Sequence, residues 1–290
     1  MDTICAEFSI SRQAHYQQVR RELSEEAQGV IILELVRQIR RKHKKMGGRK
    51  LLNKIGPMLT AEGLKIGRDR LFDLLRTQDL LVKDEKKFRR TTVPGFWRAP
   101  NRLQGLEICY PNQAWVCDIT YIELEKDGFA YLFLLMDLYS RCILGWHVSS
   151  SLAAEGAERA LQMAIDYLPK MGGRPIHHSD HGVQYTSHSY MARLKDHSIQ
   201  SSMGAVGNCY DNIYAERVIN TLKNEYALGE RFVTIQQVHR LVSEVIQLYN
   251  TDRPHLSLDM AVPYQVFCGS TRNVSSFFIS ATESLTPNSY

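Results

Sequence analysis

The pattern of apolar and polar positions changes along this chain, and the change divides it. Between Ser24 and Lys44, Ile32, Leu35, Val36 and Ile39 recur at helical spacing. The basic run from Arg40 to Lys45 closes this segment, and Gly47 and Gly48 stop it. The pattern predicts a second helix from Arg49 through Leu59, with Pro57 opposing its last turn, and then a turn over 62–67. A third helix is predicted from Arg68 to Gln78, turning Leu71, Leu74 and Leu75 inward. Helix, glycine-bearing turn and helix with arginines near its start is the outline of a helix-turn-helix. Small helical bundles that bind nothing share it.

From Asn112 the pattern changes. Strands are predicted at Trp115 to Leu124, Phe129 to Asp137 and Cys142 to Val148, with turns at Gly128 and between Asp137 and Arg141. A helix from Ala153 to Leu168 follows, then a strand from Pro175 to Ser179, a helix from Ser187 to His197 and a strand from Ile199 to Met203. Helices from Asn212 to Tyr226 and from Thr234 to Asn250 complete the series. Three strands in succession and then alternating helices and strands is a mixed α/β order, and it matches the ribonuclease H-like fold: a five-stranded sheet flanked by helices. The expected organisation is an all-α helix-turn-helix-like module over 1–82, a basic linker over 83–111, the α/β core over 112–268 and a tail rich in Ser, Thr and Asn over 269–290.

At 290 residues the chain has room for this division. No apolar run approaches the roughly 20 residues of a membrane span, and Met1 to Ile10 lacks the basic start and apolar run of a signal peptide. The 6 cysteines contain no C-x-x-C pair, which argues against a zinc finger and fits free thiols in a reducing cytosol. A cytoplasmic protein without membrane contact is expected. Charge is uneven: residues 1–110 hold 23 Lys+Arg against 13 Asp+Glu, and the remaining 180 hold 13 against 18. A basic front joined to a slightly acidic rear points to a polyanion at the front, with a solvated basic surface as the plain alternative. On that reading Arg49, Arg68 and Arg70 are candidate DNA contacts.

The chemistry rests on Asp118, Asp180 and Glu216. Asp118 lies mid-strand with Val116, Thr120 and Ile122 on its own side, where a carboxylate is costly unless paired or bound to a cation. Asp180 ends a short strand ahead of Gly182, and 35 residues separate it from Glu216 in the first turns of a helix. Lys223 follows Glu216 two helical turns later on the same face, in register for a phosphate contact. Acids scattered in sequence that converge in space suit two divalent ions, and hard oxygen ligands favour Mg²⁺ or Mn²⁺ over zinc. Crowded together, such acids should have raised pKa values until metal binds. Each acid alone could instead cap, turn or decorate a surface. His177, His178 and His181 suggest a zinc site, but adjacent strand histidines point to opposite faces. The loop from Gly207 to Asn212 could be only polar; beside a metal centre, Asn208, Tyr210 and Asn212 would touch DNA.

These residues closely resemble the second-frame (OrfB) transposases of the IS-three family of insertion sequences, within the retroviral-integrase-like DDE superfamily. The resemblance runs over residues 10–267 and is carried by several stretches. They are Ser9 to Tyr16, the helical module from Gly47 to Leu81, Asp118 to Ile122, His177 to Asp180, Gln184 to Ser187, Ser202 and Met203. Beyond these come Gly207 to Asn212, Leu222 and Lys223, and Tyr249 and Asn250 with Arg253 and His255. The resemblance implies an integrase catalytic core whose triad falls on Asp118, Asp180 and Glu216, with the family lysine at Lys223. It implies nicking of double-stranded DNA at an element's end and attack of the freed 3′-hydroxyl on another phosphodiester. Mg²⁺ or Mn²⁺, two ions, is the implied cofactor. The implied partners are insertion-sequence ends and target DNA, at least a dimer of the chain on DNA, and an upstream-frame protein or frameshift fusion. His181 stands where the family commonly has arginine, Val183 replaces a frequent serine, and Arg217 and Val218 replace Ser-Phe after Glu216. These departures bear on the level of activity, not its chemistry. A DNA-binding regulator without catalysis and a ribonuclease H-type nuclease that cuts without joining are the competing readings.

Overall fold

A computed structural model describes residues 11–82, 99–126, 128–168, 173–204 and 212–269. The chain forms two compact units, divided between Asp84 and Glu85. The first is three helices: α1 (Arg12–Lys42), α2 (Gly48–Ala61) and α3 (Arg68–Thr77). Ile32, Val36, Leu51, Ile55, Leu59, Leu71 and Leu75 are buried together at its centre. Leu74, expected inward, packs at the edge of that core.

α1 begins twelve residues before the predicted Ser24. Ser11 caps it, its Oγ accepting the Ala14 N–H at 3.1 Å. The added turns are mostly polar and have no apolar stripe, so period alone could not find them; Gln, Arg and Glu favour helix regardless. α2 runs through Pro57 to Ala61, past the predicted end. Burial of Leu59, with the Leu64 N–H donating to its carbonyl at 2.8 Å, holds the turn that proline weakens.

The second unit is a five-stranded sheet in the order β3-β2-β1-β4-β5. Its strands are β1 (Ala114–Glu123), β2 (Phe129–Asp137), β3 (Ile143–Ser149), β4 (Ile176–Ser179) and β5 (Gln200–Met203). β1 and β2 pair antiparallel from Trp115↔Asp137 to Glu123↔Phe129, and β2 pairs antiparallel with β3. β4 lies parallel to both β1 and β5. The helices are α4 (Ala154–Ile165), α5 (His188–Asp196), α6 (Ile213–Glu225), α7 (Ile235–Thr251) and α8 (Pro263–Cys268). This is the mixed ribonuclease H-like architecture expected. The short α8 was not predicted; six residues are too few to display a helical period.

Alternation along β1 sorts the two cores. Ala114, Val116 and Ile122 pack with Leu132, Leu134, Ala215, Val218 and Leu222 on the α6–α7 side. Trp115 and Cys117 pack with Phe133, Leu135, Leu161 and Tyr190 on the α4–α5 side. The period of two therefore assigns Asp118 to the face that α6 covers.

Candidate active site

The acids come from three elements. Asp118 is half-buried in mid-β1, opposite Leu134 of β2. β1 and β4 pair only from Ala114↔Ile176 to Val116↔His178, so the two strands separate just where each delivers its acid. Asp180 follows the last residue of β4, and its Oδ1 accepts the Gly182 N–H at 3.0 Å. A Cβ at Gly182 would lie 3.0 Å from that same oxygen, so the tight turn presenting Asp180 suits glycine. Glu216 is exposed in the first turn of α6, whose buried face is Ala215, Val218, Ile219 and Leu222.

Electrostatics show that the three feel one another. Burial first, and then the Asp180 charge, push the Asp118 carboxyl up to about 8. Glu216 adds to that rise, while the Ile119 N–H and Lys223 oppose it. Glu216 is itself raised, first by loss of hydration and then by Asp180. Like charges gathered with one nearby lysine are the condition that a multivalent cation relieves. Among the described residues no three His, Cys, Asp or Glu side chains stand close enough together to hold an ion. The three acids thus share an electrostatic field without forming a compact ligand cluster, and their donor chemistry suits a hard divalent cation.

His177 and His178 point to opposite sides of β4, as their alternation requires. His177 is held down to about 3 by burial and then by His178; its Nε2 lies 2.8 Å from the Tyr190 hydroxyl and 3.3 Å from Cys117 Sγ. His178 Nδ1 meets Ser202 Oγ at 2.8 Å, and that oxygen also accepts the Arg102 N–H at 2.9 Å. His177 thus ties β4 to β1 and α5, and His178 ties β4 to β5. His181 is buried, with Nε2 at 2.6 Å from the Gly204 carbonyl oxygen.

Other residues singled out in the sequence take supporting positions. Ser187 caps α5, and the Gln184 amide donates to Leu152 O at 2.8 Å. Asn250 bonds both the N–H and the carbonyl of Ile143, at 2.9 and 2.8 Å. Arg253 donates two bonds, at 2.7 and 2.8 Å, to Glu225 at the end of α6. Sequence reasoning could not separate these roles from direct DNA contact, because both use the same polar side chains.

Asn208 and Tyr210 lie outside the described residues. Asn212 is buried, and its Nδ2 donates to Cys117 O at 3.0 Å. Its side chain was expected at DNA; that inward bond was not foreseen. In the helical unit Arg49, Arg68 and Arg70 are all exposed. Arg49 and Arg68 line a groove of about 330 Å³ with Asp69, Phe72, Asp73 and Arg76. Arg68 pairs with Asp69, and Arg70 turns back to Glu25 on α1. No helix among the described residues is long and apolar enough to cross a membrane.

Two family models, both described as an integrase core domain, match residues 110–209 and 197–263. The chain is 33% identical over 266 residues to the insertion element IS600 uncharacterized 31 kDa protein of Shigella sonnei, covering 90% of this chain and 96% of that one. It is 36% identical over 201 residues to transposase InsF for insertion sequence IS3A of Escherichia coli, covering 68% and 69% respectively. Among solved structures, the HTLV-2 integrase catalytic core domain in complex with magnesium overlays with a TM-score of 0.42 at 17% identity, covering 55% of this chain and 97% of that one.

Proposed function

The chain belongs to the integrase core family, as a catalytic subunit of the IS3 type of transposase, and we propose that it nicks double-stranded DNA at insertion-sequence ends and joins the freed 3′-hydroxyl to target DNA. The observation that carries this is Asp118: a mid-strand carboxylate where β1 and β4 part, its charge opposed by Asp180 just past β4 and Glu216 on α6. Such a residue is unfavourable for the fold by itself and becomes favourable once a cation arrives.

Asp118, Asp180 and Glu216 would hold the metal. Two Mg²⁺ or Mn²⁺ ions, when bound, supply charge neutralisation at the attacking and leaving oxygens. In the first reaction the oxygen of water bonds to phosphorus as the bond to the 3′ oxygen breaks, and the leaving oxygen takes a proton. In the second, that 3′-hydroxyl is the nucleophile and the target strand's 3′ oxygen leaves.

Lys223 lies in the field of Asp118, on the same helix as Glu216, and supplies positive charge for the backbone phosphate beside the scissile bond. The helical module, with Arg49, Arg68 and Arg70, contacts DNA, and the basic linker over 83–111 adds positive charge for the same backbone. Two ends must be brought together, so the acting species is at least a dimer, with an upstream-frame protein or fusion as a further partner.

The test is nicking of supercoiled plasmid in Mg²⁺ or Mn²⁺, comparing wild type with Asp118→Asn and Glu216→Gln. Wild-type nicking that both variants lose is the expected result. Nicking that survives in the variants, or that chelation does not stop, would refute the carboxylate centre.

A further inference from the structure

We infer that Asn212 is a positioning residue: its side chain latches the helix carrying Glu216 to the strand carrying Asp118 and so sets the separation of those two acids. The inference rests on the carboxylate reading above. Asn212 stands at the N-cap of α6, yet its side chain makes no capping bond. It reaches across to β1, where Nδ2 donates to the Cys117 carbonyl at 3.0 Å.

That carbonyl lies one residue before Asp118 and one residue past the last β1–β4 pair, Val116↔His178. The latch therefore takes hold of the β1 edge where β4 has turned away. Glu216 follows four residues after Asn212, about one helical turn. The latch thus spans the distance between the two acids through one residue of strand and one turn of helix.

Apart from the Arg253 clamp at its far end, α6 is held mainly by packing. Ala215, Val218 and Leu222 pack against the sheet, and Arg141 lies over the Tyr214 ring at 4.2 Å. Apolar packing is non-directional and tolerates sliding, whereas a hydrogen bond to one named carbonyl selects a register. Asn212 is only 7% exposed, so its side chain is poorly placed to read DNA. Among the described residues its Oδ1 is buried without a hydrogen-bond partner, a desolvation cost accepted to keep the Nδ2 bond.

The test measures Mn²⁺ binding by isothermal titration calorimetry on the full chain, beside thermal melting and binding to duplex DNA without divalent metal. Asn212→Ala removes the latch, and the near-isosteric Asn212→Leu removes it with less loss of packing. Asn250→Ala is the structural control, since it breaks a buried clamp on Ile143 elsewhere in the sheet.

Both Asn212 variants should weaken Mn²⁺ binding about tenfold or more, the usual consequence of losing a contact that orients a metal ligand. DNA affinity should stay unchanged, and Asn250→Ala should lower melting while leaving Mn²⁺ affinity at the wild-type level. Wild-type Mn²⁺ affinity in either folded Asn212 variant would overturn the latch, as would a loss no greater than that of Asn250→Ala. A fall in DNA affinity with Mn²⁺ binding intact would make Asn212 a DNA contact instead. Equal Mn²⁺ binding by wild type and Asp118→Asn would defeat the carboxylate reading and the latch together.

Discussion

Asp118 is where residue chemistry reports most directly on the site. Its carboxyl is pushed up to about 8, whereas an unfolded chain has aspartate near 3.9. The metal-free folded state therefore binds this proton more tightly than the unfolded state does. The stability so contributed is fully present below the unfolded value and is lost as pH rises through about 8. In chelator, wild type should lose stability steadily from pH 5 to 8, and Asp118→Asn should flatten that decline. At pH 8 the variant should melt about 5 °C above wild type, with the gap narrowing towards pH 5. Identical melting curves at both pH values would show that Asp118 carries no such burden. Mn²⁺ should reverse the order by favouring the ionised carboxylate of wild type.

Among the elements, two further contacts help to seat the helices of the second unit. Gly145 of β3 lies against α4, and a Cβ there would come within 1.9 Å of the Ala160 carbonyl oxygen. Because the obstacle is backbone, Gly145→Ala must push α4 away, and urea unfolding should register a loss of about 2 kcal/mol. A variant as stable as wild type would mean that α4 can shift freely. Arg253 clamps Glu225 at the end of α6, with the two side chains only 5% and 16% exposed. Arg253→Met should cost about 3 kcal/mol by removing both charge-assisted bonds from a poorly hydrated carboxylate, and Glu225→Gln in the same chain should recover part of it. Additive losses in the two variants would rule out the clamp. Most of the helices were legible from their apolar stripes, and the strands from short apolar runs between turn residues, since the sheet is covered on both faces. The first half of α1 was not, because a polar, exposed helix leaves no stripe to read.

For the molecule as a whole, the uneven charge gives the first unit its own testable role. Exposed Arg49 and Arg68 line a groove that also holds Asp69 and Asp73, so only part of the arginine charge is free of a nearby acid. If both arginines meet phosphate, Arg49→Ala with Arg68→Ala should reduce the slope of log affinity for duplex DNA against log salt by about 2. An unchanged slope would remove them from the interface. At this scale the division of labour between sequence and structure is clear. Local order and the strand–helix succession were set by residue periods, and the three candidate acids were singled out by motifs of a few residues. Those signals are local, because backbone geometry turns a side chain in or out every two or every 3.6 residues. Tertiary structure alone decided that Asn212 turns inward to Cys117 and that Arg253 holds the end of α6. Those outcomes depend on burial and on partners 95 and 28 residues away along the chain, and no local period encodes which distant group a polar side chain will meet.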